Sequence, residues 1–150
     1  MNLYDMIDVT DLFKYFTDEE KKAFCEMDHS LVEFKNGDLV IEEGETTKSL
    51  YILLEGSVLI TKKRDEATIR LAKLKSGAVF GEMSFFSKKP RGTNVLAQDK
   101  ILVLKLSETF FESLDPVLQN KIKDYFIEIL ITRVDQMNDS IMAISKSLRY

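Results

Sequence analysis

The 150-residue sequence predicts a mainly β module with flanking helices: an all-β barrel, sandwich or jelly roll, with helical segments before and after it. Two observations carry that expectation. Between about residues 31 and 106 the chain is written in short apolar runs separated by turn residues, several of them glycines. Outside those limits the apolar residues recur every three or four positions, the spacing of amphipathic helices. There is no alternation of strands with helices, which removes a Rossmann-type dinucleotide site from contention.

Residues 3–28 read as helical. Thr17 followed by Glu20 makes a capping box, in which each side chain satisfies an amide of the other at a helix start. Leu12, Phe13, Phe16, Ala23, Phe24 and Met27 supply an apolar face, and Cys25 lies among them as a small buried hydrophobe. Strands follow at 31–34, before Asn36-Gly37-Asp38, and at 39–41, before the turn at Gly44. Residues 50–54 and 58–61 flank Glu55-Gly56-Ser57 as a hairpin. A further strand at 68–74 precedes Ser76-Gly77, and strands at 94–97 and 101–106 meet across Asp99. Ser107 is placed to cap a short helix that ends before Pro116, and a long helix runs from there to near residue 148.

Within that helix Ile127, Leu130, Val134, Met137, Ile141, Ile144 and Leu148 follow alternating steps of three and four. β-Branched residues at the a-type positions, with Leu130 and Met137 at d, suit a two-stranded parallel coil. A homodimer through this stripe is therefore expected. The alternative is a helix that packs the stripe onto its own β-domain. The three zones, about 3–28, 31–106 and 107–148, read as one module spanning 1–150.

Composition narrows the chemistry. With 21 basic and 25 acidic residues the formal net charge is −4, so no global positive field draws in nucleic acid or anionic lipid. Any bound anion must be held by local groups. A single cysteine forbids an intrachain disulfide and fits a reducing, cytoplasmic setting, and a single histidine, His29, removes most metal and nucleophile–histidine schemes. The N-terminus carries Asp5 and Asp8 rather than the basic and apolar regions of a signal peptide. The longest apolar stretch, near 126–131, is interrupted by Glu128 and is too short for a membrane span. Neither metal, cofactor nor catalytic residues are expected, and the reading is of a binding protein rather than an enzyme.

The segment from Phe80 to Val95 concentrates the features that suit an anionic ligand. Phe80-Gly81-Glu82-Met83-Ser84-Phe85-Phe86 places a strand before a short helical turn, whose first amides lack intrahelical partners. Gly81 permits close approach of a ligand to the backbone, and Ser84 is small enough to leave its amide open. Nine residues after Glu82 comes Arg91, behind the stiffening Pro90. A guanidinium donates twice to a pair of phosphate oxygens, and a carboxylate accepts from a sugar hydroxyl.

Together these residues resemble the cyclic nucleotide-binding domain family, which includes bacterial catabolite-activator proteins, protein kinase A regulatory subunits and cyclic-nucleotide-gated channels. The likeness runs over roughly residues 10–115. It rests on turns at Gly37-Asp38, Gly44 and Gly56, on Leu50-Tyr51-Ile52-Leu53-Leu54-Glu55-Gly56, and on Leu74-Lys75-Ser76-Gly77 leading to Phe80-Gly81-Glu82 with Arg91 beyond. The resemblance implies an eight-stranded antiparallel β-roll (a jelly roll, or double-stranded β-helix) with N-terminal helices and a long C-terminal helix. It implies a cyclic nucleotide ligand, with Glu82 on the ribose 2′-hydroxyl and Arg91 on the cyclic phosphate. Amides near Gly81, Glu82, Ser84 and Gly92 would assist, with Phe80, Met83, Pro90 and Thr93 completing the cassette. By rough alignment Met137 and Asn138 fall nearest the base, Asn138 being the polar candidate.

Two positions depart from the family pattern. Gly92 stands where a small residue or threonine is frequent, and Asn94 where serine or threonine precedes the valine. Gly92 brings no hydroxyl of the kind associated with cyclic GMP, so cyclic AMP is favoured as ligand. DNA-binding members carry a winged helix-turn-helix after the long helix; here the sequence stops at Tyr150, and no nucleic-acid partner is expected. The expected role is a cyclic nucleotide sensor that signals to another protein through its C-terminal helix. The alternatives are a piece of a transcription regulator or channel without its effector domain, and a β-roll interaction module that no longer binds nucleotide.

Overall fold

Eight strands form two antiparallel four-stranded sheets, and what buries them decides where a ligand can enter. The protein is described by a computed structural model over residues 2–148. The strands are β1 (Ser30–Phe34), β2 (Leu39–Ile41), β3 (Leu50–Glu55), β4 (Ser57–Arg64), β5 (Ala67–Lys75), β6 (Val79–Phe80), β7 (Asn94–Ala97) and β8 (Ile101–Leu106). One sheet has the order β1-β8-β3-β6 and the other β2-β7-β4-β5. These are the β-roll and flanking helices that the sequence predicts, but the hairpin expected from residues 50–54 and 58–61 does not form: β3 and β4 lie in different sheets because the chain crosses between them at Gly56 (φ 89°), and β4 instead makes its hairpin with β5.

β3 and β8 read as nearly unbroken apolar runs because both of their faces are covered. Tyr51, Leu53, Phe80, Ile101 and Val103 face the second sheet, where they meet Val40, Ile41, Val58, Val95 and Ala97. Leu50, Ile52, Leu54, Leu104 and Leu106 face the helices, joining Phe13, Phe24, Phe111, Ile122 and Phe126. The paired registers Leu50 with Leu106 and Ile52 with Leu104 put these side chains on the same face. At roughly 1.5–3 kcal/mol for each fully buried aliphatic or aromatic side chain, the two cores dominate the stability of the fold.

The N-terminal helical zone is three pieces: α1 (Leu3–Asp8), a 3-10 turn (Asp11–Phe13) and α2 (Asp18–Glu26). Two threonines account for the breaks. The Thr10 hydroxyl donates to the Met6 carbonyl at 2.7 Å, closing α1. Thr17 takes the extended backbone an N-cap needs, with φ −71° and ψ 164°. Its hydroxyl accepts from the Glu20 amide at 3.1 Å and its own amide donates to the Glu20 carboxylate at 2.8 Å, so the capping box is formed. Cys25 is half-buried against the helix-facing core, and burial pushes its thiol up.

A short helix α3 (Glu82–Ser87) follows β6, and α4 (Glu108–Ser113) starts at Ser107, whose hydroxyl accepts from the Phe110 amide at 3.1 Å. α5 (Pro116–Ser147) has 32 residues, roughly 48 Å of helix. Its first half packs Ile122, Tyr125 and Phe126 into the helix-facing core. Every residue from 131 to 148 is exposed. The stripe from Ile127 to Leu148 therefore does not pack on its own β-domain: Val134 is 54% exposed, Met137 63% and Ile141 60%. No helix among the described residues is long and apolar enough to cross a membrane.

Candidate functional site

Arg91 is the residue around which the site is built. It is 4% exposed, an unusual position for a cation. Two main-chain carbonyls hold its plane: Nη1 donates to Gly81 O at 2.8 Å and Nη2 to Ser49 O at 2.6 Å. A guanidinium has five N–H donors. Nε is buried with no partner, and none of the salt bridges among the described residues involves Arg91. Burial lowers its pKa, opposed by the fields of Tyr51, Glu45 and Glu82, the first contributing most. A buried cation with free donors and no counter-ion of its own is arranged to receive an anion.

The backbone around Arg91 is fixed by the loop after β2. Arg91 N donates to Glu45 O, and Gly44 N to Arg91 O, both at 2.8 Å. Asn94 carries out a structural task in the same clamp: its Oδ1 accepts from the Glu43 amide at 2.7 Å. That contact uses an amide side chain where the family pattern has a hydroxyl.

Gly81 joins β6 to α3 in the left-handed region, at φ 83°. Space demands glycine there as well. A Cβ would sit 2.9 Å from Arg91 Nη1 and 3.0 Å from Ser49 O. The first helical bond of α3 runs from the Phe85 amide to Gly81 O at 3.3 Å, so the amides of Glu82, Met83 and Ser84 have no partner within the helix. Lys88 closes α3 at φ 62°, leaving left-handed backbone at both ends.

These elements surround a cavity of about 280 Å³. Gly81, Glu82, Met83, Ser84, Arg91 and Gly92 form its polar end, together with Thr93 and the edge of Phe80. Ile60, Ala72, Leu74 and Val79 give it an apolar wall. Beyond Gly92 the space is open to a Cβ, so its lack of a side chain is not forced by packing. The sequence-predicted residues thus converge, with two exceptions. Pro90 is exposed and lies off the lining, and Asn138 is exposed on α5, which reaches the cavity through a different residue.

That residue is Arg133, which no motif in the sequence marks. It lines the cavity and its Nη1 donates to Glu82 Oε1 at 3.0 Å, with the Glu82 side chain only 13% exposed. Nothing local announces this contact: 51 positions separate the two residues. Ser49 was equally silent because it contributes a main-chain oxygen. Beside the ion pair an apolar groove of about 260 Å³ runs between α3 and α5, lined by Met83, Phe86, Phe126 and Leu130 among others.

Residues 31–115 match the cyclic nucleotide-binding domain family. The cAMP-dependent protein kinase type II regulatory subunit of Drosophila melanogaster is 27% identical over 97 residues, covering 61% of this chain and 26% of that protein. The cAMP-dependent protein kinase regulatory subunit of Yarrowia lipolytica is 35% identical over 85 residues, 56% of this chain and 22% of that one. The chain therefore spans about a quarter of the length of these curated relatives. Among solved structures, a cyclic nucleotide-binding domain from Methylobacillus flagellatus superposes with a TM-score of 0.78 at 24% identity, covering 94% of this chain and 81% of that one. With more than half of its length matched, this chain belongs to the cyclic nucleotide-binding domain family.

Proposed function

We propose that this chain binds a 3′,5′-cyclic nucleotide in the cavity between β6, α3 and the loop before β7, and that occupancy is passed to α5. The observation that carries the proposal is the buried guanidinium of Arg91, which keeps an unpartnered Nε beside the cavity. A cyclic phosphate is a monoanion with two free oxygens, the partner a guanidinium fork accepts best. The open amides of α3 supply neutral donors to the same group. The apolar wall from Ile60 to Val79 suits a heteroaromatic base.

Cyclic AMP is the favoured ligand, because Gly92 offers an amide and no hydroxyl and because the curated relatives are named as cAMP-dependent. Thr93 brings one hydroxyl to the lining, so cyclic GMP is the informative competitor. The Glu82–Arg133 pair supports signalling through α5. A ribose hydroxyl would use the same carboxylate that tethers the helix, so ligand and helix position are linked. The exposed heptad stripe on α5 supports a homodimer as the form in which that movement is read. Catalysis has no support: phosphodiester hydrolysis calls for a metal or a positioned base, and the cavity is lined by neither histidine nor a carboxylate cluster.

Calorimetric titration of the whole chain with cyclic AMP, cyclic GMP and a cyclic dinucleotide tests the proposal. Saturable binding of a mononucleotide, tighter for cyclic AMP, is expected. Binding of none of the three would leave an interaction module without a nucleotide.

A further inference from the structure

The β4–β5 hairpin lines the nucleotide cavity with one face and presents a different chemistry on the other. The register places Leu39 beside Leu96, Leu96 beside Leu59, and Leu59 beside Lys73, one row across all four strands of the sheet. The adjacent row, Ile41, Val95, Ile60 and Ala72, points inward, so the leucine row points out. Leu39 is 44% exposed, and Leu71 extends the apolar strip at 52%. Lys73 and Lys75 rim the same face, Lys73 paired with Leu59 and Lys75 with Ser57.

Residues 57–75 contain six basic side chains against two acidic ones, in a chain whose net charge is −4. Among the described residues no salt bridge engages any of the six. β5 is also an edge strand of nine residues. Lysines on an edge guard it against strand pairing. That purpose explains the charges and leaves an outward row of leucines without one.

We propose that this outer face docks an acidic amphipathic helix of another protein. Charge complementarity chooses the sign: the free lysines call for carboxylates, while the acidic remainder of the chain repels anionic membranes and nucleic acid at longer range. The face also lacks the tryptophan or tyrosine of a membrane-interface surface. Spacing chooses the helix. Strands lie about 4.8 Å apart, so Leu39 and Leu59 are roughly 10 Å apart across β7. Residues i and i+7 of a helix are separated by about 10.5 Å along its axis, so two turns of an apolar stripe fit the leucine row. The proposal does not depend on nucleotide binding.

The test uses the whole chain and a fluorescein-labelled helical peptide with leucine at i, i+3, i+4 and i+7 and glutamate elsewhere. Anisotropy should report saturable binding, with amide shifts in the isotope-labelled protein confined to β2, β7, β4 and β5. The double variant Lys73→Glu, Lys75→Glu should weaken binding at least tenfold, and Leu59→Ser at least threefold. An unchanged cyclic AMP titration and melting temperature would identify those variants as folded. Three outcomes would overturn the proposal: no binding of the acidic peptide, equal binding of a lysine-for-glutamate peptide, or tighter binding to phosphatidylserine vesicles than to the peptide.

Discussion

At Arg91 and Gly81 the side-chain and backbone requirements of the site cannot be separated. Gly81 O accepts from the guanidinium it must also leave room for, and a methyl group at Gly81 would press on that guanidinium. Gly81→Ala therefore carries two penalties: about 1–2 kcal/mol for left-handed backbone in a residue with a Cβ, and displacement of Arg91. Thermal denaturation should register a fall of several degrees, and cyclic nucleotide affinity should fall with it. A variant that melts with the wild type would mean the turn relaxes without cost. Glu82 and Arg91 were legible in the sequence because residue type and a nine-residue spacing specify them. Ser49 and Asn94 were not, since one acts through a carbonyl and the other through a contact across the sheet with the Glu43 amide.

At the scale of elements, α5 is anchored at one end and unclothed at the other. Its link to the cavity is the Glu82–Arg133 pair, with Arg133 half exposed. Such a pair contributes about 0.2–1 kcal/mol. If ribose and Arg133 compete for Glu82, Arg133→Met should raise cyclic nucleotide affinity, by about two- to fivefold at most. A drop in affinity by calorimetry would mean that Arg133 assists the ligand instead. The exposed stripe gives a second prediction. Val134→Asp with Ile141→Asp should shift sedimentation from dimer to monomer without altering the β-roll, whereas an unchanged wild-type monomer mass would remove the coil. The heptad was readable because periodicity survives without context. That Arg133, rather than Asn138, reaches the cavity depends on how α5 rolls against α3, which periodicity does not encode.

Across the whole molecule, carboxylates tie the N-terminal helices to α5. Glu20 is paired with Lys121, and Glu128 accepts from both Lys14 and Tyr15. The Lys121 hydrogen bond, then the Thr17 amide, holds Glu20 below its ordinary value of 4.5; the Lys14 and Tyr15 hydrogen bonds do the same for Glu128. A depressed carboxylate contributes stability above its unfolded pKa and loses it as pH falls through the folded one. The melting temperature should thus decline as pH is lowered from about 4.5, and less steeply in the Glu20→Gln, Glu128→Gln variant. Equal slopes would show these pairs to be idle.

The strands were legible from the apolar runs, since β3 and β8 are buried on both faces and need no polar alternation, but their division between two sheets was not, because neighbouring runs such as β3 and β4 enter different sheets. In the N-terminal zone the start of α2 was legible from the Thr17–Glu20 capping box, whereas the end of α1 was not, because there the Thr10 hydroxyl bonds a main-chain carbonyl inside an otherwise helical pattern.

The central claim, that a buried Arg91 is held ready for a cyclic phosphate, is tested most directly by calorimetry of cyclic AMP on the wild type and on Arg91→Ala. A charged hydrogen bond contributes about 1.5–3 kcal/mol, so the variant should bind at least tenfold more weakly. Equal affinity in a variant that remains folded would contradict the account.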